Sequence, residues 1–377
     1  VSGEADYHLG DEAMLEANIG TLRSRVPGIE LTVFSRAPAW TSRRYAVDAV
    51  ATPRFPPGLG HDAAGAVRAS DGLLVSGGGN LCSSWPDKVL ERVELIRVAR
   101  AHDKPVAVVG QTIGPMLDPE QARLLADVLP WASVIGVRDD ESGRLLEALG
   151  VPPSRIQRQF DDAFLMTGLP VTDRRARAVT DDGRPPVLVT LDASFGSTHR
   201  EDALRALAPQ LDSLARSLDA PLVFVPHVGG ADVPASHDDA AAGRALRDAL
   251  GPPLQVLACW QPAEVRWLTE QALLVVSSRY HPVVFATAAG VPVVAIHQDE
   301  YTRVKLSGAL APAGLDRYCL SLADAGAGAL LTAALAAHGS RHDVQAKREG
   351  LRLEAERRHQ RLWRAVCDGL RLPVRAE

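Results

Sequence analysis

Four consecutive residues, Arg279-Tyr280-His281-Pro282, place a permanent cation beside an imidazole that titrates near neutral pH. Together they suit the binding of an anion and the movement of a proton at the same spot. An apolar run, Ala272-Leu273-Leu274-Val275-Val276, leads into Ser277-Ser278 and then into these residues. After them comes Val283-Val284-Phe285-Ala286-Thr287-Ala288-Ala289, closed by Gly290. The pattern predicts a buried strand followed by a helix starting at Pro282, since proline suits the first helical position. Open parallel sheets bind ligands at this strand-to-helix edge, where helix N-termini favour negative charge. The plainer reading is an Arg paired with a local carboxylate and a His packed in a loop.

Other candidates fall at comparable places. Gly77-Gly78-Gly79-Asn80 follows the strand-like Leu73–Ser76 and is read as a loop whose backbone approaches a ligand closely, with Gly78, Gly79 and Asn80 as substrate contacts. Its spacing is neither the dinucleotide fingerprint nor a P-loop. Gly110-Gln111-Thr112-Ile113-Gly114-Pro115 ends another apolar run and offers Gln111. Arg138 ends a third, and Asp139 or Asp140 is expected to cap the next helix. Arg138 and Arg279, one from each half of the chain, are expected to grip a compact dianion or a carboxylate plus a phosphate. An Arg–Asp pair within the loop is the structural alternative for Arg138. Gly10-Asp11-Glu12 opens the first helix, with Asp11 read as its cap or as the group that deprotonates an acceptor hydroxyl. His227 and Asp192 also stand at strand ends. Structural roles are the simpler reading for both, with His227 kept as a candidate substrate contact. Tyr280 and Lys305 complete the set, Lys305 as a third cation for phosphate. There is no metal-ligand spacing, no nucleophile elbow and no reactive-cysteine signature in the sequence.

The elements that must hold these residues are strands and helices in alternation. Candidate strands are Leu31–Ser35, Leu73–Ser76, Val106–Gly110, Val134–Val137, Val187–Leu191, Leu222–Pro226, Leu273–Ser277 and Val291–His297. Most are continuous apolar runs, the mark of strands buried on both faces. Helical patterns fill the gaps at Asp11–Val26, Val89–His102, Pro119–Leu129, Ser142–Leu149, Asp202–Leu218 and Ala240–Leu250. Such alternation predicts an α/β protein with parallel sheets. The polar, Pro- and Gly-rich stretch 168–186 is read as a linker. The expected layout is an N-terminal Rossmann-like domain over 1–167, a C-terminal one over 187–325, and C-terminal helices over 326–377. Two doubly wound domains are expected to face a cleft.

Composition excludes some classes. With 41 basic and 46 acidic residues the net charge is −5, and the basic residues are scattered except between Lys347 and Arg364, which argues against nucleic acid as a partner. The four cysteines, Cys82, Cys259, Cys319 and Cys367, lie far apart, as in a reducing cytoplasm. No apolar run approaches the roughly 20 residues of a transmembrane helix. Cytoplasmic localisation is expected, with peripheral contact at the inner face of the membrane left open. The sequence begins Val1-Ser2-Gly3, without Met, so a truncated N-terminus and a strand upstream are also left open.

Taken in order, Leu9-Gly10-Asp11-Glu12-Ala13, Gly77-Gly78-Gly79-Asn80, Gly110-Gln111-Thr112-Ile113-Gly114-Pro115, Arg138-Asp139-Asp140-Glu141-Ser142, Arg279-Tyr280-His281 and Tyr301 with Lys305 resemble the polysaccharide pyruvyltransferase family over about residues 9–305. The resemblance implies a GT-B-like fold. It also implies transfer of a pyruvyl group from phosphoenolpyruvate to two hydroxyls of a sugar, forming a ketal and releasing phosphate. On that reading Arg138 and Arg279 bind the donor, His281 is the general acid, Asp11 is the base, and no cofactor or metal is required. The acceptor is a cell-wall sugar, an exopolysaccharide unit or a small natural product, and homo-oligomerisation is left open. The main rival is a GT-B glycosyltransferase using a nucleotide sugar, with Glu264 or Glu270 on the ribose. A non-catalytic binding protein of the same fold is the third reading.

Overall fold

The computed structural model describes residues 7–53, 58–171, 183–195, 200–230, 233, 237–250, 254–258 and 261–374. The chain divides into two compact units. Among the described residues, the first takes in those of 11–162 and 354–374, the second those of 7–10 and 163–353. This differs from the expected boundaries at both ends. A short N-terminal piece belongs to the second unit, and the end of the long helix Arg341–Gly369 belongs to the first. Within the expected linker, residues 172–182 lie outside the described residues, as does Cys259.

The first unit is built on a parallel sheet. Its strands are β4 (Leu73–Val75), β5 (Gly78–Leu81), β6 (Val106–Ile113), β7 (Ile135–Val137) and β8 (Ile156–Arg158). The order is β4-β6-β7-β8, and β5 pairs with the far half of β6. Strand β6 shows why its sequence is an unbroken apolar run. Val106 and Val108 enter one core with Val93 and Ile96 of helix Pro86–Ala101. Ala107 and Val109 enter another, with Leu22 of helix Leu9–Arg25 and Leu362, Trp363 and Val366 of the C-terminal helix. Period-two alternation puts each set on its own face, and both faces are covered. A separate parallel pair joins β2 (Thr32–Ser35) and β3 (Asp48–Ala51).

The second unit carries a six-stranded parallel sheet of β9 (Val187–Thr190), β10 (Leu222–Phe224), β12 (Gln255–Val256), β13 (Leu274–Ser277), β14 (Val293–His297) and β15 (Cys319–Ser321). Their order is β12-β10-β9-β13-β14-β15. This is the 3-2-1-4-5-6 arrangement of a Rossmann-like unit, and the winding reverses between β9 and β13. A short antiparallel pair, β1 (Tyr7–His8) with β11 (Val228–Gly229), attaches the N-terminal segment. All eight expected strands are present, with ends shifted by a few residues. Among the described residues no helix is long and apolar enough to cross a membrane.

Candidate active site

In the second unit the loops after β9, β10 and β13 meet on one carboxylate. Asp239 opens helix Asp239–Leu250 and is fully buried. It accepts hydrogen bonds from the backbone N–H groups of Ala193 (3.0 Å), His227 (3.1 Å) and Val228 (3.0 Å). Arg279 adds a forked pair, from Nε at 3.1 Å and Nη2 at 2.7 Å. A carboxylate with this many donors is compensated for its loss of water. Burial raises the Asp239 carboxyl above the usual range, against the opposing pull of Arg279.

Arg279 has a second carboxylate partner. Its Nη1 lies 2.5 Å from Asp192 Oδ2, and both side chains retain about a fifth of their exposure, at 23% and 21%. Burial alone would raise Asp192, but the Arg279 charge, Ser194 and Lys305 outweigh it and hold the group below the usual carboxylate range. Ser278 Oγ accepts from the Asp192 backbone N–H at 2.8 Å, linking the loops that follow β9 and β13. This link lies where the sheet reverses its winding, the crevice in which open α/β folds hold ligands.

His281 stands two residues beyond Arg279, in the first turn of helix Tyr280–Ala289. The helix begins at Tyr280, not at the expected Pro282. Proline is tolerated as third residue because the first turn's N–H groups have no intrahelical acceptor. The His281 ring packs edge-on against Tyr280, with centroids 5.2 Å apart, and tilted against Phe285 at 6.2 Å. Gly10 seats it, because a Cβ at Gly10 would lie 1.9 Å from His281 Nδ1. Only glycine admits the ring there. Lys305 donates to Tyr301 Oη at 3.0 Å and stands over the rings of Tyr301 (4.6 Å) and Tyr280 (5.6 Å).

His227 does not fit its expected role as a substrate contact. Its ring is buried and packs against Phe285 at 6.3 Å. Burial, together with the charges of His281 and Arg279, holds its pKa well below the usual histidine value. It is a neutral, apolar-facing ring.

The first unit corrects more of the sequence reading. Arg138 is not an open anion site. Its side chain is 3% exposed and its Nη1 is 2.7 Å from Asp161 Oδ2, itself 1% exposed. Nη2 donates to Gly78 O at 2.8 Å and to Thr112 Oγ1 at 3.3 Å. The Arg–Asp alternative therefore holds, with the partner Asp161 in the loop after β8 instead of in Arg138's own loop. Gly78 is buried in β5, where its carbonyl serves Arg138, so these residues form a strand instead of the expected loop. Gln111 is also corrected. It is buried, and its Nε2 donates to Ser76 O at 2.6 Å and Val109 O at 3.2 Å, closing the gap between β4 and β5. Gly79 and Asn80 are half-buried residues of the same strand. Asp139, not Asp140, caps helix Asp140–Ala148. Asp11 is exposed inside the first turn of helix Leu9–Arg25, so it is no cap.

A buried acid went unnoticed in the sequence. Asp162 lies where β4 breaks into β5 and where β6 bulges at Gly110. It accepts from Asn18 Nδ2 at 3.1 Å and Gln159 Nε2 at 2.7 Å. A Cβ on Gly77 or Gly110 would collide with its carboxyl, at 2.7 and 2.2 Å. Burial, reinforced by neighbouring Asp161, pushes its pKa up to about 7. Asp239 and Asp162 were missed because their partners come from distant segments. The one local signal was an acidic residue at a helix start after a loop, as in His237-Asp238-Asp239.

Residues 8–300 match the family described as polysaccharide pyruvyl transferase. The chain belongs to this family. Solved structures similar to this polysaccharide pyruvyl transferase family member share little sequence with it. A Listeria monocytogenes protein assigned as a UDP-N-acetylglucosamine 2-epimerase has a TM-score of 0.62 at 14% identity, covering 90% of this chain and 89% of its own. The UDP-GlcNAc 2-epimerase of Neisseria meningitidis, bound to UDP-GlcNAc, has a TM-score of 0.58 at 12% identity, covering 89% and 92%. The glycosyltransferase of kitacinnamycin has a TM-score of 0.54 at 14% identity, covering 97% and 96%. These likenesses establish the fold, two Rossmann-like α/β units of the GT-B type. No curated protein matches the sequence.

The carboxylates that the glycosyltransferase rival needs have other partners. Glu264 Oε2 accepts from the Gln261 backbone N–H at 3.4 Å, and Glu270 pairs with Arg266 at 3.1 Å. Among the described residues no three His, Cys, Asp or Glu side chains are grouped as a metal ion would require.

Proposed function

We propose that this family member moves a pyruvyl group from phosphoenolpyruvate to two hydroxyls of a sugar acceptor, forming a carboxyethylidene ketal and releasing phosphate. The observation that carries the reading is the pairing of Arg279 and His281 at the N-terminus of helix Tyr280–Ala289, at the reversal point of the second sheet. Cation, helix end and imidazole together suit an anionic donor that must also be protonated.

The donor is an enol phosphate. His281 delivers a proton to its methylene carbon, and positive charge develops at the central carbon. A first acceptor hydroxyl adds there and gives up its proton. Phosphate then leaves, and a second hydroxyl closes the ketal. Of the two hydroxyl protons, one balances that delivered to the methyl group and the other leaves with phosphate. Arg279 stabilises the charge that grows on the departing phosphate, with Lys305 as a second cation. Asp11, an exposed carboxylate directly after the glycine that seats His281, is proposed as the hydroxyl's base. No cofactor is invoked, and the site is proposed to work in the cytoplasm.

The test is phosphate release from phosphoenolpyruvate with a panel of sugar acceptors, comparing the native protein with His281→Ala and Arg279→Ala. Acceptor-dependent release lost in both variants supports the reading. Tight binding of a nucleotide sugar, with neither binding nor turnover of phosphoenolpyruvate, would replace it with glycosyl transfer.

A further inference from the structure

Arg279 has two edges of different character. Its Nε and Nη2 face Asp239, which is fully buried and also holds three backbone N–H groups. That edge cannot be surrendered without releasing the loops after β9 and β10 as well. Its Nη1 faces Asp192, which is partly exposed. Asp192 has a second anchorage of its own, since its Oδ1 accepts from the backbone N–H of Ser194 at 2.7 Å and from Ser194 Oγ. It can therefore leave the guanidinium and remain hydrogen-bonded. The two residues follow β9 and β13, so their contact spans the reversal point of the sheet.

Charge makes this arrangement consequential. One guanidinium stands between two carboxylates, so an arriving anion meets a site whose cation is already more than balanced. Asp239 is fixed. The anion gains the guanidinium's open edge only by taking the place of Asp192.

We infer that Asp192 is a displaceable counter-ion of Arg279, which the donor's phosphate or carboxylate must push aside and which thereby sets the donor's affinity and selectivity. The inference rests on the reading of Arg279 as the donor's anchor. A ligand that brings a single weak carboxylate exchanges one such pair for another and gains little. A phosphate, with more charge and more acceptor oxygens, wins the exchange. Asp192 thus selects compact dianions over monocarboxylates. Lys305, whose charge reaches Asp192, offers the displaced carboxylate a favourable field.

The experiment compares the full-length protein with Asp192→Asn and Asp192→Ala. It measures calorimetric binding of inorganic phosphate and of phosphoenolpyruvate, and the KM and kcat for turnover. Removing a competing, partly exposed charge should tighten phosphate and phosphoenolpyruvate about three- to tenfold in both variants and lower KM accordingly. Adding Arg279→Ala should abolish the gain. Unchanged or weaker phosphate binding in both variants would overturn the inference. So would a fall in kcat without any gain in affinity, which would make Asp192 a proton acceptor. If phosphoenolpyruvate neither binds nor turns over while the gain for phosphate persists, the counter-ion role stands and the pyruvyl-transfer reading falls.

Discussion

Arg138 and Arg279, one in each unit, both stand just beyond a buried parallel strand, yet they live in different surroundings. Arg138 is sealed, with Asp161 equally sealed against it. Arg279 keeps one closed edge on Asp239 and one open edge on Asp192. A buried ion pair is costly to assemble and costly to break by removing one partner. A partly exposed pair exchanges partners more readily. The first arrangement suits a fixed sheet edge, the second a ligand.

The difference can be broken in four ways. The largest effect is expected for His281→Ala, which should cut turnover by about 10²- to 10⁴-fold with little change in thermal midpoint. Steady-state phosphate release and a melting curve check both halves. Next is Arg138→Ala, which takes the guanidinium away from the buried Asp161. It should cost about 3–5 kcal/mol of stability, read from urea midpoints. Arg279→Ala should cost less stability than this, because Asp239 keeps its three backbone N–H donors and Asp192 is partly exposed, and comparable losses in both would erase the contrast.

Third is a pH effect from Asp162. Its folded pKa of about 7 is above its unfolded value of about 3.9. Between these the folded state binds a proton that the unfolded state does not, so stability should fall as pH rises from about 4 to about 7 and level off above. The span is about 2–4 kcal/mol, and Asp162→Asn should flatten it. Denaturation at pH 5 and pH 8 measures the slope in each protein. The smallest effect is expected for Gly10→Ala. The added methyl must push the His281 ring aside, lowering turnover by about ten- to a hundredfold with little effect on melting. Unaltered turnover would show that the ring's seat does not matter.

The architecture was largely readable because its strands are covered on both faces and so appear as apolar runs. The long β6 is the clearest case, each face meeting its own helices. Short polar strands such as β5 and β8 carry no such signal, and the glycines of β5 suggested a loop. Gly78 instead brings its carbonyl to Arg138, and Gly77, just before β5, makes room for Asp162. The motif Arg279-Tyr280-His281 was legible because its chemistry is local. Asp239 was not, because it acts on residues from three separate loops. Gly10 was seen as part of a motif, but its reason, the ring of His281, lies some 270 residues on.

The most direct test of the account is a hydrogen-exchange footprint of phosphoenolpyruvate on the native protein. Slowed exchange at residues 191–195 and 277–281, with none at 76–80 or 138–142, is the predicted result. Protection centred on 138–142 and absent from 277–281 would contradict it, and would make Arg138 the donor's anchor.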